Sequence, residues 1–335
     1  MNLEAFDREL KEKNLIGFWS FAVSGAYQEA KAPFEPCLWK WQDLYETITK
    51  AGEAVGLEQS FRRFIGLKNP ALAIGTTQTL LLGAQLVKPG EIAAAHRHTM
   101  AAIRFVIKGG GAQTTVDGEP FPMATGDLIT TPNRTWHDHF NGSSDPIIWL
   151  DGADGPLIKY LGIGFSEPFG EKQQPHSRAV GSSKYELAPA RPSRLPVDSI
   201  QPPPYRYRWE DTEKVLSALA EHPADPHDGV LLRYVNPLHG GFTLPTLSCE
   251  IQMIRPGETT KPHRHTSTVI YHVFRGKGFT TVDDVRYEWE TGDSMVVPLW
   301  RRHSHGNAAK EAAVLFSIND RPIMEALGYY REEKK

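Results

Sequence analysis

Closely spaced histidines are the residues of this sequence best suited to chemistry. Residues 95–111 read AHRHTMAAIRFVIKGGG, which places His96 and His98 one residue apart at the start of an apolar run. His137 and His139 follow in the stretch TWHDHFN. Alternate residues of a β-strand face the same side, and neutral imidazoles bind divalent transition metals. An H-x-H pair with a further histidine therefore predicts a metal site.

The histidine-rich region occurs twice in the chain. PGEIAAAHRHT at 89–99 aligns with PGETTKPHRHT at 256–266, and the offset between the copies stays nearly constant from there to the next histidines. Glycine, proline, histidine and asparagine all recur in step, which indicates an internal duplication. The second copy supplies a matching set of histidines, namely His263, His265, His303 and His305.

Short strands and tight turns are expected around both copies. TTVDG and TTVDD are typical of hairpin turns, and GDLITTP and GDSMVVP of short apolar strands that end at a proline. Helical spacing of apolar residues occurs at 41–56 and, over a shorter stretch, at 210–222. The pattern predicts a mainly β protein with few helices.

Composition and charge limit the partners of the chain. Its 335 residues are 40% hydrophobic and 23% charged, and the formal net charge is −3, with no basic stripe that would bind nucleic acid. No apolar run is long enough to cross a membrane, and the first residues lack the apolar core of a signal peptide. Cys37 and Cys249 are too few for a disulfide framework. We therefore expect a cytoplasmic protein with no nucleic-acid or membrane partner.

Both copies resemble the two sequence motifs of the cupins. The first motif, G with five residues before H-x-H, and the second, G-x₅-P-x-G-x-x-H-x-x-x-N, occur at 90–98, 126–141, 257–265 and 292–307. Arg134 and Trp300 stand where the second motif has its inner glycine. The resemblance covers most of the chain and implies a bicupin, two antiparallel jelly-roll β-barrels with a few peripheral helices.

This resemblance suggests four segments. We expect an N-terminal helical segment or arm at 1–75 and a catalytic N-terminal cupin at 76–168. A proline-rich linker with a short helix follows at 169–240, and the C-terminal cupin occupies 241–325. The linker is rich in proline and polar residues, so we expect much of it to lie extended over a neighbouring surface.

Within the cupins, the first copy resembles the gentisate 1,2-dioxygenase family, which also includes enzymes that open salicylate and 1-hydroxy-2-naphthoate rings. The resemblance is carried by HRHT..AIRF, TWHDHFN and WLDG.D, with FRRFIGLKNPAL and TLLLGAQLVKPGE before them. It implies Fe(II) held by His96, His98 and His137, and a homotetramer. Many cupins carry a glutamate ligand shortly after H-x-H, but neither copy has one here. A site with three neutral ligands favours a substrate that binds as an anion.

Arg104 is the candidate partner for that anion. It lies an even number of residues after His96, so it is expected to point into the barrel, where a dication would repel it unless an anion lay between them. Guanidinium binds carboxylate in a bidentate geometry, and the resemblance implies this role for Arg104. His139 is implied to act on the substrate hydroxyl as an acid, a base or a hydrogen-bond partner, although a supporting histidine remains the alternative.

Further positions of the substrate pocket follow from the same resemblance. Leu81 aligns with an aromatic residue of several relatives, which predicts a reshaped pocket and leaves room for a substituted salicylate in place of gentisate. Asp151 is expected to orient an iron-bound histidine or Arg104. The remaining implied pocket residues are Gly83, Gln85 and one of Arg62 and Arg63.

The expected activity is Fe(II)-dependent opening of the bond between C1 and C2 of gentisate or a substituted salicylate, with O₂ as co-substrate. In the second copy Tyr271 replaces the arginine, so we expect a structural role there, with metal binding left open. Two alternatives remain for the chain: a Zn- or Mn-dependent cupin isomerase or decarboxylase, and a non-catalytic binding bicupin.

Overall fold

The computed structural model describes residues 2–19, 29–60, 62–188 and 202–334. The chain divides into two compact units, Met1–Ala32 and Pro33–Lys335. In the first unit, helix α1 spans Leu3–Glu12, and the Asn2 side chain caps it by accepting a hydrogen bond from the Ala5 N–H at 2.8 Å. Phe6 stacks on Trp19, with ring centroids 5.8 Å apart.

The second unit is built mainly of antiparallel strands. Those in and around the first histidine region are β1 (Cys37–Trp39), β2 (Phe64–Gly66), β3 (Leu81–Val87), β4 (Ile92–His98), β5 (Ala102–Lys108), β6 (Gly110–Val116), β7 (Glu119–Ala124), β8 (Leu128–Thr131), β9 (His137–Asn141), β10 (Ile147–Ala153), β11 (Ser166–Pro168) and β12 (Arg206–Tyr207). Those in the second region are β13 (Val230–Arg233), β14 (Ser248–Ile254), β15 (His263–His265), β16 (Val269–Arg275), β17 (Lys277–Val282), β18 (Val285–Glu290), β19 (Ser294–Val297), β20 (His303–Gly306), β21 (Ala313–Asn319) and β22 (Glu332–Lys334).

Short helices flank these strands: α2 (Trp41–Ala54), α3 (Leu57–Ser60), α4 (Gly155–Leu161), α5 (Ser182–Glu186), α6 (Trp209–Ala220) and α7 (Arg321–Ala326). Helices α2 and α6 confirm the two helices predicted from apolar spacing. The described helices include none long and apolar enough to cross a membrane.

The strands form four sheets, two for each barrel. The first barrel combines the sheet β12-β8-β5-β10-β3-β2 with the sheet β11-β4-β9-β6-β7. The second combines β1-β19-β16-β21-β14-β13 with β18-β17-β20-β15-β22. This duplicated arrangement confirms the predicted mainly β fold with two antiparallel jelly-roll barrels. The predicted hairpin turns are also present, with Asp117 and Asp283 in the left-handed conformation at φ 44° and 51°.

Each barrel has an edge strand that comes from the segment leading into the other barrel. β1 precedes the first barrel in sequence but pairs with β19 of the second, and β12 precedes the second barrel but pairs with β8 of the first. The helices that follow these strands are anchored in the same way. The backbone N–H of Trp41 donates to Asp293 at 2.8 Å, and that of Trp209 donates to Asp127 at 2.9 Å. Each barrel is therefore completed by the segment that leads into the other.

Glycine makes room for these crossing segments. Gly126 and Gly292 have φ of 89° and 93°, and a Cβ on either would lie 2.4 Å from the ring of Trp209 or Trp41. Between the barrels, the ring of Phe105 on β5 stacks on Phe316 of β21 with centroids 4.0 Å apart. Aliphatic and aromatic side chains fill the interior of each barrel.

The segment expected to be an extended linker packs partly against the first barrel. Ser183 of α5 donates from its backbone N–H and its hydroxyl to the buried carboxylate of Glu119, at 3.1 and 3.0 Å. Residues 189–201 of this segment lie outside the described part of the chain. The boundaries 1–75, 76–168, 169–240 and 241–325 stay a prediction. Cys37 and Cys249 are free thiols.

Candidate metal centre

Two adjacent strands bring three histidines together inside the first barrel. β4 carries His96 and His98 on one side, and β9 carries His137 directly opposite His96. The ring centroids are 4.3 to 5.2 Å apart, and one nitrogen from each ring lies within 4.8 Å of the others. The strand alternation assumed from the sequence therefore produces the expected cluster.

Backbone carbonyls fix which nitrogen faces the cluster in two of the three rings. A carbonyl oxygen only accepts, so a ring nitrogen beside it carries the hydrogen, and Nε2 is left with a free lone pair. This holds for His98, whose Nδ1 lies 2.9 Å from Met100 O, and for His137, whose Nδ1 lies 3.1 Å from Thr135 O. Among the described residues, His137 Nε2 is buried with no hydrogen-bond partner, as expected of a free metal ligand. His96 differs, because its Nδ1 lies 3.2 Å from Ala94 O but 2.6 Å from Nη2 of Arg62, and a guanidinium only donates.

Burial keeps these imidazoles neutral. Desolvation and the positive charge of Arg62 lower the pKa of His96 to about 3. Desolvation also lowers the pKa of His98 and, together with the charge of Arg104, holds that of His137 well below its usual range. Neutral imidazole is the form that binds a metal, so the cluster offers three ligands of zero charge near neutral pH.

Arg104 lies buried on β5 with part of its guanidinium unsatisfied. The side chain is 2% exposed, Nη1 donates to the Thr131 hydroxyl, and Nε has no partner. Desolvation lowers its pKa, while Asp151, opposite it on β10, raises that pKa. A buried cation with an unused donor is costly unless an anion joins it. The prediction that Arg104 points into the barrel is thus consistent with its burial.

His139 is held in one orientation beside the cluster. Its ring centroid lies 6.0 Å from that of His137, and Nδ1 is 2.9 Å from the Thr114 hydroxyl. That hydroxyl donates to the Met123 sulfur at 3.2 Å, so its oxygen accepts from Nδ1. Nε2 is buried, has no partner and is left as an acceptor. Desolvation and then the charge of Arg104 hold the His139 pKa well below its usual range.

The structure distinguishes the two adjacent arginines. Arg63 makes two hydrogen bonds to the Glu91 carboxylate, at 2.8 and 2.9 Å, and a third to Leu86 O at 3.2 Å. Arg62 lies at the histidine cluster, with Nη2 2.6 Å from His96 Nδ1. Desolvation lowers the pKa of Arg62 to about 9, and the like charge of Arg104 adds to that effect. The cluster therefore has two arginines and no carboxylate ligand, which makes it strongly electropositive.

Three predicted pocket residues occupy alternate positions of β3, namely Leu81, Gly83 and Gln85. Gln85 is 1% exposed and neither its amide nitrogen nor its amide oxygen has a partner. Gly83 pairs with Asp151, and a Cβ there would lie 2.4 Å from Ile65 O, so only glycine fits. Asp151 thus has Gly83 on one neighbouring strand and Arg104 on the other, in the same row of the sheet.

A largely apolar cavity of about 710 Å³ reaches the cluster. His96, His98 and Leu81 contribute to its wall. The opposite wall of the cavity comes from the segment around α4 and β11. Sequence reasoning missed this wall, because the segment carries no chemical motif. It also missed Thr131 and Thr114, whose positions follow only from the strand register. The main additional wall residues are Ile74, Met100, Pro156, Ile158, Phe165 and Pro168.

Comparison with known proteins identifies the family. The Cupin domain family matches residues 83–152 and 250–319, one match per barrel. The chain is 39% identical over 339 residues to a 5-aminosalicylate 1,2-dioxygenase of Comamonas sp, covering 99% of this chain and 90% of that one. It is 35% identical over 336 residues to a gentisate 1,2-dioxygenase of Aquipseudomonas alcaligenes, covering 98% and 95%.

A solved structure agrees with the whole fold. The salicylate 1,2-dioxygenase from Pseudaminobacter salicylatoxidans superposes with a TM-score of 0.89 at 32% sequence identity, covering 99% of this chain and 97% of that one. Full-length similarity, two cupin matches and two histidine clusters agree with the resemblance found in the sequence motifs. The chain belongs to the gentisate and salicylate 1,2-dioxygenase family of bicupin ring-cleaving enzymes.

Proposed function

We propose that this chain uses Fe(II) and O₂ to open the bond between C1 and C2 of an aromatic acid that has a hydroxyl ortho to its carboxylate. The observation that carries the proposal is the buried Arg104, with an unpaired guanidinium nitrogen, beside three neutral imidazoles. His96, His98 and His137 would hold the iron, since His137 Nε2 is buried without a partner. When bound, Fe(II) supplies the electron transfer between ring and O₂ that cleavage requires.

The protein residues bind and orient the substrate. The Arg104 guanidinium pairs with the substrate carboxylate, and Arg62 adds a second positive charge at the same cluster. His139 Nε2, left as an acceptor, accepts a hydrogen bond from the ring hydroxyl and so orients it. The Gln85 amide offers a further donor and acceptor. Asp151 orients Arg104 from the neighbouring strand.

The electrostatics favour a substrate that carries two negative charges. Two arginines and a dication with three neutral ligands leave an uncompensated positive charge in a buried site. An ortho-hydroxy carboxylate supplies both a carboxylate and an ionisable hydroxyl within one planar ring. The substrates named for the relatives, 5-aminosalicylate, gentisate and salicylate, share this arrangement.

Leu81 and the apolar cavity argue for a ring with a substituent. The cavity of about 710 Å³ exceeds what a single benzene ring fills, and its wall is mostly hydrophobic. Gentisate or another substituted salicylate is therefore the proposed substrate. The Zn or Mn isomerase and the non-catalytic bicupin have no support among the relatives named above.

Oxygen uptake tests the proposal directly. The protein is reconstituted with Fe(II) without air and offered gentisate, salicylate, 5-substituted salicylates and 1-hydroxy-2-naphthoate. One equivalent of O₂ consumed per ring-opened product supports the proposal. A protein that binds iron but consumes no O₂ with any of these acids would contradict it.

We also propose a homotetramer in the cytoplasm, as the family resemblance suggests. Large apolar side chains on and after α4 are exposed, among them Tyr160 at 87% and Phe165 at 69%. Exposed apolar side chains of this size are often covered by subunit contacts. Light scattering coupled to gel filtration would measure the mass, and a monomer would contradict the tetramer.

A further inference from the structure

A second histidine cluster lies in the second barrel, where the proposed function has no use for it. One nitrogen from each of His263, His265 and His303 lies within 4.8 Å of the others, and all three side chains are buried. β15 carries the first two histidines, and β20 carries His303 opposite His263. The cluster therefore repeats the strand arrangement of the first barrel.

Two of these rings have a fixed orientation. His265 Nδ1 lies 2.9 Å from Ser267 O, and His303 Nδ1 lies 3.1 Å from Arg301 O, so each carries its hydrogen on Nδ1. His303 Nε2 is buried without a partner. An unpaired buried acceptor costs free energy unless a ligand satisfies it, and a metal ion between three imidazoles would do so.

A carboxylate that has no counterpart in the first cluster stands beside the second. Asp228 lies just before β13, and its Oδ1 is 3.5 Å from His263 Nε2. A carboxylate next to a metal-binding histidine orients the ring and raises its basicity. Asp228 is placed for that role, since the other ring nitrogen of His263, Nδ1, is buried without a hydrogen-bond partner among the described residues. The other oxygen, Oδ2, lies 3.6 Å from Lys334 Nζ, which steadies the carboxylate from the opposite side.

The surroundings of this cluster leave no space for an aromatic acid. The cavity next to it has about 70 Å³, against about 710 Å³ at the first cluster. Tyr271, 9% exposed, occupies the position that corresponds to Arg104. The two arginines that line this cavity, Arg233 and Arg321, are already paired with Glu250 and Glu325. A metal ion and one or two waters fit this volume, but a benzoate ring does not.

We propose that His263, His265 and His303 form a second metal site, closed to substrate, for a divalent transition ion of the Zn²⁺ class, with Asp228 as the carboxylate that supports His263. Three imidazole nitrogens suit such an ion, and a carboxylate next to one of the ligand rings strengthens its binding. The ion would tie β15 to β20. This inference does not rest on the proposed function of the first cluster.

Metal analysis of the full-length chain tests it. The protein is stripped with a chelator, dialysed against Zn²⁺ and analysed by mass spectrometry of the metal. We expect two equivalents in the unaltered protein, one in His137→Ala, one in His303→Ala and none in the double variant. His272→Gln is the matched control, because His272 is an equally buried histidine that hydrogen-bonds Ser294 at 3.0 Å. It should retain two equivalents.

A second measurement leaves all three rings of the second cluster in place. In the His137→Ala protein, where only the second site remains, Zn²⁺ should raise the melting temperature. Adding Asp228→Asn, which keeps the side-chain shape, should weaken this Zn²⁺ binding at least about tenfold. A single equivalent in the unaltered protein that disappears in His137→Ala would overturn the second site. Unchanged Zn²⁺ affinity in Asp228→Asn would overturn the role of the carboxylate.

Discussion

Replacing Arg104 with methionine separates its role in substrate binding from any role in folding. Methionine fills a similar volume without charge, and Arg104 has one protein hydrogen bond, to Thr131, with its Nε unpaired. Removing one partner of a buried, hydrogen-bonded charge pair costs about 2–5 kcal/mol. With a factor of ten for each ~1.4 kcal/mol, kcat/KM should fall about 30- to 4,000-fold.

The same substitution should not lower the stability of the substrate-free protein. Arg104 is buried with its charge only partly compensated by Asp151, so its removal takes an unfavourable desolvated cation out of the barrel. The melting temperature of Arg104→Met should therefore equal or exceed that of the unaltered protein.

Oxygen-electrode kinetics and thermal unfolding give the two readouts. Arg97→Met is the control, because this partly exposed arginine pairs with Glu167, and its loss should leave kcat/KM within about twofold. If Arg104→Met kept its kcat/KM, or lost activity only in proportion to lost folded protein, the assignment of Arg104 to the substrate carboxylate would be refuted.

Three further outcomes are expected. Arg63→Met should lower the free energy of unfolding by about 3–5 kcal/mol in urea titrations, since it removes a buried guanidinium with two hydrogen bonds to Glu91 and leaves that carboxylate with Lys88 alone. Arg62→Met should mainly raise KM, and equal stability losses in the two variants would contradict this. Leu81→Trp should reduce kcat/KM more for 1-hydroxy-2-naphthoate than for salicylate, because it fills the cavity wall; an equal reduction would argue against that wall position. The pKa of His96 is lowered to about 3 in the folded protein, so the unfolded chain takes up this proton at a higher pH than the folded chain does. The metal-free protein should therefore lose stability as the pH falls from about 6.5 towards 3. His96→Asn should flatten this dependence of the melting temperature on pH.

Much of the metal site was predictable because it depends on local periodicity. Alternation along β4 places His96 and His98 on one face, and a constant offset reveals the duplication. Arg104 lies on the next strand, β5, in the other sheet of the barrel, so its even spacing from His96 does not by itself explain its burial. Arg134 and Trp300 replace a motif glycine, and the structure gives both a positive φ, 63° and 61°. The backbone there keeps the left-handed turn, and its strain is offset by the surrounding barrel.

Other features depend on contacts between distant parts of the chain. The neighbouring residues Arg62 and Arg63 read alike in sequence, and only the packed position of Glu91 separates them. Asp228 approaches His263 from a loop outside the cupin motifs. No periodicity relates such pairs, so sequence reasoning gives no signal for them.

The shared edges of the barrels have a consequence for the history of the chain. β1 with α2 completes the second barrel, and β12 with α6 completes the first, through matching contacts at Asp293 and Asp127. Two identical single-barrel subunits that traded their leading segments would show this same reciprocity. The arrangement is that of a domain-swapped homodimer joined into one polypeptide, which agrees with the internal duplication of the sequence. The proposed aromatic-acid site lies in the first half, and the exchanged segments bind the two halves to each other.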